Sequence, residues 1–232
     1  LKPHGYTSGQ FGKNHLGDRN EYLPTLHGFD EYAGVLYHLN ALEEPENVDY
    51  PKDPEIFKKF GPRNVIYSWA TDKADKTEDP RFGVVGKQKI KDLGKMTIER
   101  MKTYDDETLE QSIDFMARAV NDSKPFFLWH NTTRTHTFTH LRPKYAEMVP
   151  EKGLMGAAMT EFDDSMNGLD VCKKIRRGGS NVPVIMLTAR STRQDRQHGQ
   201  AAGADAYITK SSDTTELLVK VKELLDAKMV GN

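Results

Sequence analysis

Residues 166–209 read MNGLDVCKKIRRGGSNVPVIMLTARSTRQDRQHGQAAGADAYIT, and the spacing of apolar residues changes character three times along them. In VPVIMLT, at 182–188, Val184, Ile185, Met186 and Leu187 are apolar without alternation. That is the pattern of a strand covered on both faces. The stretch before it, 157–177, has apolar residues at helical spacing and stops at Gly178–Gly179, so it reads as one helix or two. After the strand, 191–202 reads as a helix with Ser191 or Thr192 as cap and Gly203 as its stop. A short strand follows at 206–209. Asp213 then caps a last helix over 214–229, with Leu217, Leu218, Val221, Leu224 and Leu225 on one face. Helix, strand, helix, strand, helix at this spacing specifies an α/β fold, a parallel-sheet core with flanking helices.

Working upstream, PFFLWH at 125–130 is an apolar run of buried-strand length. Before it, 103–120 reads as a helix, with Leu109, Ile113, Met116, Ala117 and Val120 in step. Asp105, Asp106 and Glu107 sit in its first turn, where the helix dipole favours acids. Residues 42–95 are polar and interrupted by Pro45, Pro51, Pro54, Pro62 and Pro80. They read as a surface excursion with short helical pieces, able to bury little. The first stretch, 1–32, is rich in Gly and His and holds one strand candidate, 6–11.

Of the 232 residues, 37% are hydrophobic and 29% charged, with a formal net charge of −1 and a mean hydropathy of −0.69. This balance points to a globular chain and argues against nucleic acid or a membrane surface as partner. No apolar run approaches the ~20 residues of a membrane span. The one cysteine, Cys172, excludes an intrachain disulfide and a cysteine-based zinc finger. The chain starts at Leu1 without a leader-like segment and reads as a processed, trimmed or partial product; a bacterial cytoplasm is favoured over a periplasm.

Residues 1–165 resemble the arylsulfatase family, on four landmarks in order: GYTSGQFGKNHLGD at 5–18, GFDEYAG at 28–34, KPFFLWHNTTRTHTFTHL at 124–141 and AAMTEFDDSM at 157–166. The resemblance implies an alkaline-phosphatase/sulfatase-like fold and hydrolysis of sulfate esters with Ca²⁺. A sulfate ester builds negative charge on its bridging oxygen as it leaves, so the site needs cations and a proton donor. By resemblance Lys13 and His15 contact the sulfate and His136 assists the leaving group. His4, His27, His130 and His140 read as loop or core residues. Two departures stand out. The family's C/S-x-P/A-x-R nucleophile motif is not found here, and Cys172 does not match it. The D-N-G that supplies metal ligands is replaced by Thr188–Ala189–Arg190, and a hard cation wants six or more oxygens. The chain is therefore expected to be catalytically incompetent as written, with no cofactor bound.

Residues from about 166 to 228, in a C-terminal domain taken as 166–232, resemble the C-terminal half of a response-regulator receiver, a flavodoxin-like fold, on MNGLDVCKKIR, VPVIMLTA, AAGADAYITK and ELLVKVKELL. The resemblance implies phosphorelay signalling with Mg²⁺. Thr188 and Lys210 would bind the oxygens of an aspartyl phosphate, and Tyr207 would be the aromatic that changes rotamer. The acceptor position falls on Thr160, with Asp163 and Asp164 nearby on a predicted helix, and Ser211 replaces the usual proline after the lysine. The partner is thus a sulfate ester or a signalling protein, and the chain reads as a recombined or designed chimera of two α/β pieces. Across the join, Met159, Phe162, Met166, Leu169, Val171, Cys172 and Ile175 approximate one helical face.

Overall fold

A computed structural model describes residues 1–165, 168–179, 181, 183–188, 192–209, 215–216, 219–220 and 222–224. The chain divides into two compact units, Leu1–Ser165 and Met166–Asn232.

In the first unit the elements run β1 (Thr7–Lys13), β2 (Glu31–Val35), α1 (Leu39–Glu43), α2 (Pro54–Phe60), β3 (Ile66–Asp79), β4 (Gly83–Asp92), α3 (Ile98–Met101), α4 (Tyr104–Asn121), β5 (Phe126–Asn131), α5 (Pro143–Ala146) and α6 (Val149–Ser165). The five strands form one sheet in the order β4-β3-β2-β1-β5. β1 pairs in parallel with β2, Phe11 facing Ala33, and in parallel with β5, Phe11 facing His130. β3 and β4 continue the sheet antiparallel beyond β2. The fold is mixed α/β with a parallel-rich sheet and flanking helices.

Helix α4 forms where the apolar spacing predicts it. Its buried residues Tyr104, Thr108, Ser112, Phe115 and Ala119 recur every three or four positions, so one stripe faces the sheet. Phe115 meets Phe11 at 5.6 Å and Phe126 at 6.3 Å between ring centroids. Truncating such a residue costs about 3–5 kcal/mol. A larger cluster joins Val35, Leu39, Leu42, Val65, Met96, Met101 and Tyr104.

The stretch 42–95 is not the loose excursion expected. It holds α1's end, α2 and the long β3–β4 hairpin. An antiparallel pair at a sheet edge needs only one apolar face: Ile66 and Ser68 are buried while Tyr67 and Trp69 are half-buried. Its inner polar groups are bonded to one another. Thr25 Oγ1 donates to Gln88 Oε1 at 2.5 Å, and Gln88 Nε2 donates to the Asn20 and Val85 carbonyls at 2.9 and 2.8 Å. The turn closes on Asp79, whose Oδ1 accepts from the N–H groups of Arg81 and Phe82 at 2.8 and 2.9 Å, as aspartate does in such turns.

The region 157–177 forms two helices, α6 and α7 (Gly168–Arg177); residues 166–167 lie outside the described ones. The face expected from Met159 is corrected. Met159 is 45% exposed, while Ala157, Ala158 and Glu161 are fully buried. The small alanines allow close approach to Leu141 and Tyr145, and a buried carboxylate there has arginines as partners.

The second unit continues with β6 (Ile185–Thr188), α8 (Arg193–Ala201) and β7 (Ala206–Thr209). β6 and β7 pair in parallel, Ile185 with Ala206 through Thr188 with Thr209. A capping box between Thr192 and Asp195 starts α8, and Gly203, at φ 95°, follows its end. Of the expected last helix, 215–216, 219–220 and 222–224 are helical; Asp213 and the remainder lie outside the described residues. Ile185 and Met186 are half-buried, and among the described residues the apolar clusters lie in the first unit.

Candidate functional site

In an open α/β sheet, ligands bind outside the carboxyl ends of the strands, where the order of strands reverses. That point falls at β1 here, because β2 lies on one side of it and β5 on the other. Lys13 is the last residue of β1, His15 follows it, His38 follows β2, and His136 follows β5.

The glycine before Lys13 sets the geometry. Gly12 has φ 107°, and a Cβ there would come within 1.7 Å of the Asn131 carbonyl oxygen. Only glycine lets β1 and β5 approach so closely at this end. Asn131 Nδ2 then donates to the Lys13 carbonyl at 2.9 Å, and the Asn14 N–H donates to the Val35 carbonyl at 2.7 Å. Lys13 is half-buried and His15 exposed. The rings of His15 and His38 meet edge to face at 5.2 Å.

His136 is within electrostatic reach of Lys13 and His38. Partial burial and those two charges hold its pKa below 6.5, against the opposing pull of Glu43. Its Nδ1 accepts the N–H of Phe138 at 3.1 Å, so the neutral ring carries its proton on Nε2. His38 is held differently: its Nδ1 faces the N–H of Ala41 at 3.3 Å, capping α1, and also contacts Asn40 Oδ1. The result is one lysine and three imidazoles at the carboxyl ends of these strands, with His136 offering Nε2–H as a donor. Such a set offers charge and N–H groups to an oxyanion. A cavity of about 330 Å³ adjoins it, lined by Lys13, His15, Phe29, Tyr22, Trp129 and Asn131.

His38 escapes a reading by motif, because it lies outside the landmark segments. The signal available was its place just after a strand parallel to β1. The other histidines hold structural positions. His130 bonds Ser112 at 2.9 Å, His27 bonds the Glu21 carbonyl at 2.8 Å, and His140 contacts Glu43; His4 is exposed.

Among the described residues no group of three or more His, Cys, Asp or Glu side chains could hold a metal ion. The described residues thus offer no such donor set for the Ca²⁺ of sulfatases or the Mg²⁺ of receivers. Cys172 is buried in α7, with its thiol pKa raised by burial. The serines nearest the sheet, Ser8, Ser68 and Ser112, are buried and hydrogen-bonded. No helix among the described residues is long and apolar enough to cross a membrane.

In the second unit Thr188 ends β6 and Thr209 faces it on β7; Lys210, the lysine expected from the receiver resemblance, lies outside the described residues. Tyr207 is half-buried, and its carbonyl accepts from Arg196 Nη1 at 3.2 Å. Thr160 lies in α6 rather than at a strand end, and its hydroxyl donates to the Gly156 carbonyl at 2.9 Å.

Comparison with known proteins divides along the chain. Residues 155–222 match the response regulator receiver domain. The curated relatives include the alkaline phosphatase synthesis transcriptional regulatory protein SphR of Synechococcus elongatus. It is 46% identical over 61 residues, which cover 26% of this chain and 24% of that protein. The sensory transduction protein RegX3 of Mycobacterium tuberculosis is 39% identical over 82 residues, 30% of this chain and 36% of that one. Among solved structures, the PsFucS1 sulfatase from Pseudoalteromonas sp. superposes with a TM-score of 0.54 at 25% identity, covering 76% of this chain and 34% of that one. The chain thus spans roughly a quarter to a third of the proteins it matches. Its N-terminal part is similar to a sulfatase in structure, and residues 155–222 are similar to response-regulator receivers in sequence.

Proposed function

We propose that residues 1–165 bind the sulfate group of a sulfate ester at the carboxyl ends of β1, β2 and β5, without hydrolysing it. The observation that carries this reading is the convergence of Lys13, His15, His38 and His136 at the point where the strand order reverses. Lys13 supplies the positive charge and the imidazole N–H groups supply donors. The adjoining cavity leaves room for the organic group. A bound anion favours the protonated form of His136, so sulfate raises that residue's pKa.

The expected lack of turnover is supported by the described residues, among which the serines at the sheet, Ser8, Ser68 and Ser112, are buried and no carboxylates are grouped for a hard cation. Titration with inorganic sulfate, followed by histidine NMR, tests the binding. His136 should titrate at higher pH with sulfate present, and Lys13→Ala should weaken binding about tenfold, the worth of a charged hydrogen bond. No change at His136 rejects the site. A fluorogenic aryl sulfate with added Ca²⁺ should give no turnover; turnover abolished by His136→Ala would reject the incompetence.

A second reading, phosphorelay signalling, is favoured by the receiver match at 155–222. In it Thr188, Lys210 and Tyr207 form the phosphoryl switch. Thr160, bonded into α6, does not offer a carboxylate at the acceptor position. Incubation with acetyl phosphate and Mg²⁺ should therefore leave the intact mass unchanged, and a hydroxylamine-labile adduct on one aspartate would show the opposite. The chimera reading rests on the same two-part likeness, and 1–165 and 166–232 are proposed as its domains.

A further inference from the structure

We propose that Arg134 and Glu161 are positioning residues for the anion site, clamping the loop 132–142 that presents His136. The inference rests on the oxyanion-binding reading of that site. Arg134 is 1% exposed. Its Nη1 donates to the carbonyls of Met101 at 3.1 Å and His140 at 2.9 Å, and its Nη2 donates to that of Lys102 at 2.5 Å. The bond to His140 closes the chain from 134 to 140 into a ring, and His136 lies within that ring.

The charges that hold Arg134 come from two helices. Asp105, in the first turn of α4, lies 3.7 Å from Nε, and Glu161 Oε1, on α6, lies 3.2 Å from Nη2. The same Glu161 oxygen accepts from Arg142 Nε at 2.8 Å, and Arg142 Nη1 reaches Asp106 at 3.0 Å. One fully buried carboxylate thus holds both arginines that bracket the loop. Thr133 fixes the near end, donating from N and Oγ1 to Asp105 Oδ1 at 2.9 Å each. His136 itself is held by bonds inside the loop: its Nδ1 accepts from Phe138, and its carbonyl accepts from Thr139 at 3.1 Å. A side chain borne this way takes its position from the anchors at the two ends of its loop. Removing Glu161's charge leaves the buried Arg134 with the longer 3.7 Å contact to Asp105, where a poorly compensated charge is strongly disfavoured, while the half-buried Arg142 keeps Asp106. The ring would open to let the guanidinium reach water.

The test uses the full chain with inorganic sulfate as probe and ¹⁵N histidine shifts as a second readout. Glu161→Gln keeps the volume and removes the charge. It should keep the parent's circular dichroism, weaken sulfate binding about tenfold and erase the Nε2–H signature of His136, while His27 stays unchanged. Glu161→Asp, which keeps the charge, should recover part of both. If Glu161→Gln does not fold, Arg142→Gln removes only the outer link and should shift the His136 signature in the same direction. A folded variant with the parent's affinity and His136 signature overturns the inference. If the parent itself binds no sulfate, the oxyanion reading fails, and the His136 signature still decides whether the clamp positions that ring.

Discussion

His130 is an imidazole that the fold holds neutral. Ser112 Oγ lies 2.9 Å from its Nδ1 and also 2.8 Å from the Thr108 carbonyl. A hydroxyl has one proton, and the carbonyl can only accept, so Nδ1–H of His130 donates to Oγ. This polarity is the reverse of a base that activates a serine, and Ser112 is buried as well. Burial holds the His130 pKa below 6.5, outweighing the nearby Asp105 carboxylate. The unfolded chain protonates this ring near 6.5 and the folded chain does so only at lower pH. The histidine's contribution is therefore fully present above 6.5 and is lost as pH falls from there toward the folded value. Asp105, raised by its own burial, acts with the opposite sign: its contribution grows as pH falls through its folded pKa. Burial, its largest cause, is present in parent and variant alike. In urea unfolding at about pH 7.5 and about pH 5.5, the parent should lose more stability on acidification than His130→Gln. Equal losses would place the acid sensitivity elsewhere.

At the scale of elements, legibility depended on whether a pattern was local. Helix α4 could be read because Leu109, Ile113, Met116, Ala117 and Val120 recur at helical spacing and Asp105 to Glu107 mark its start, although of those five Leu109 alone is buried and the stripe on the sheet runs through Thr108, Ser112, Phe115 and Ala119. β5 could be read from Phe126 to His130, although the structure covers one face only: Phe127 and Trp129 remain 40% and 51% exposed. The β3–β4 hairpin was not legible. Its inward positions are Ser68 and Gln88, satisfied by Thr25 and Asn20 from distant parts of the chain, and no hydropathy window sees such partners. In the site, Lys13, His15 and His136 could be named from motifs. His38, Arg134 and Glu161 could not, because strand order and long-range ion pairs bring them in. The hairpin makes a direct prediction. Amides of 66–70 and 88–92 should exchange slowly, and those of 72–78, exposed throughout, should exchange fast. Gln88→Ala should destabilise by about 1–3 kcal/mol, because it removes the buried bonds that the Gln88 amide makes with Thr25 Oγ1 and with the Asn20 and Val85 carbonyls. Uniform exchange along β3 and β4 would mean that the hairpin is not one extension of the sheet.

At the scale of the molecule, two boundaries compete. Receiver likeness begins at residue 155, whereas the first compact unit ends at Ser165. The eleven residues between belong to α6, and their packing settles which side they serve. Ala157 and Ala158 are fully buried against Leu141 and Tyr145, and Glu161 holds Arg134 and Arg142. A receiver would place a strand with an aspartate here; this chain has a helix with Thr160 bonded to its own backbone. Local sequence alone leaves both readings open, since AAMTEFDDS suits a helix and also sits in register with the receiver pattern. Burial favours the first unit. A fragment 1–165 should therefore keep the unfolding midpoint of the first unit to within a few degrees. A fragment 1–154 removes Glu161, the nearer of the two carboxylates that hold the buried Arg134, a change that costs about 3–5 kcal/mol, and also uncovers Leu141 and Tyr145. Against the ~5–15 kcal/mol that holds a domain together, that loss should lower the midpoint by ten degrees or more, by the ~2–4 °C per kcal/mol of a domain this size. Thermal unfolding of the two fragments, followed by tryptophan fluorescence, measures the difference. Equal midpoints would move the boundary to 155 and assign α6 to the receiver-like half.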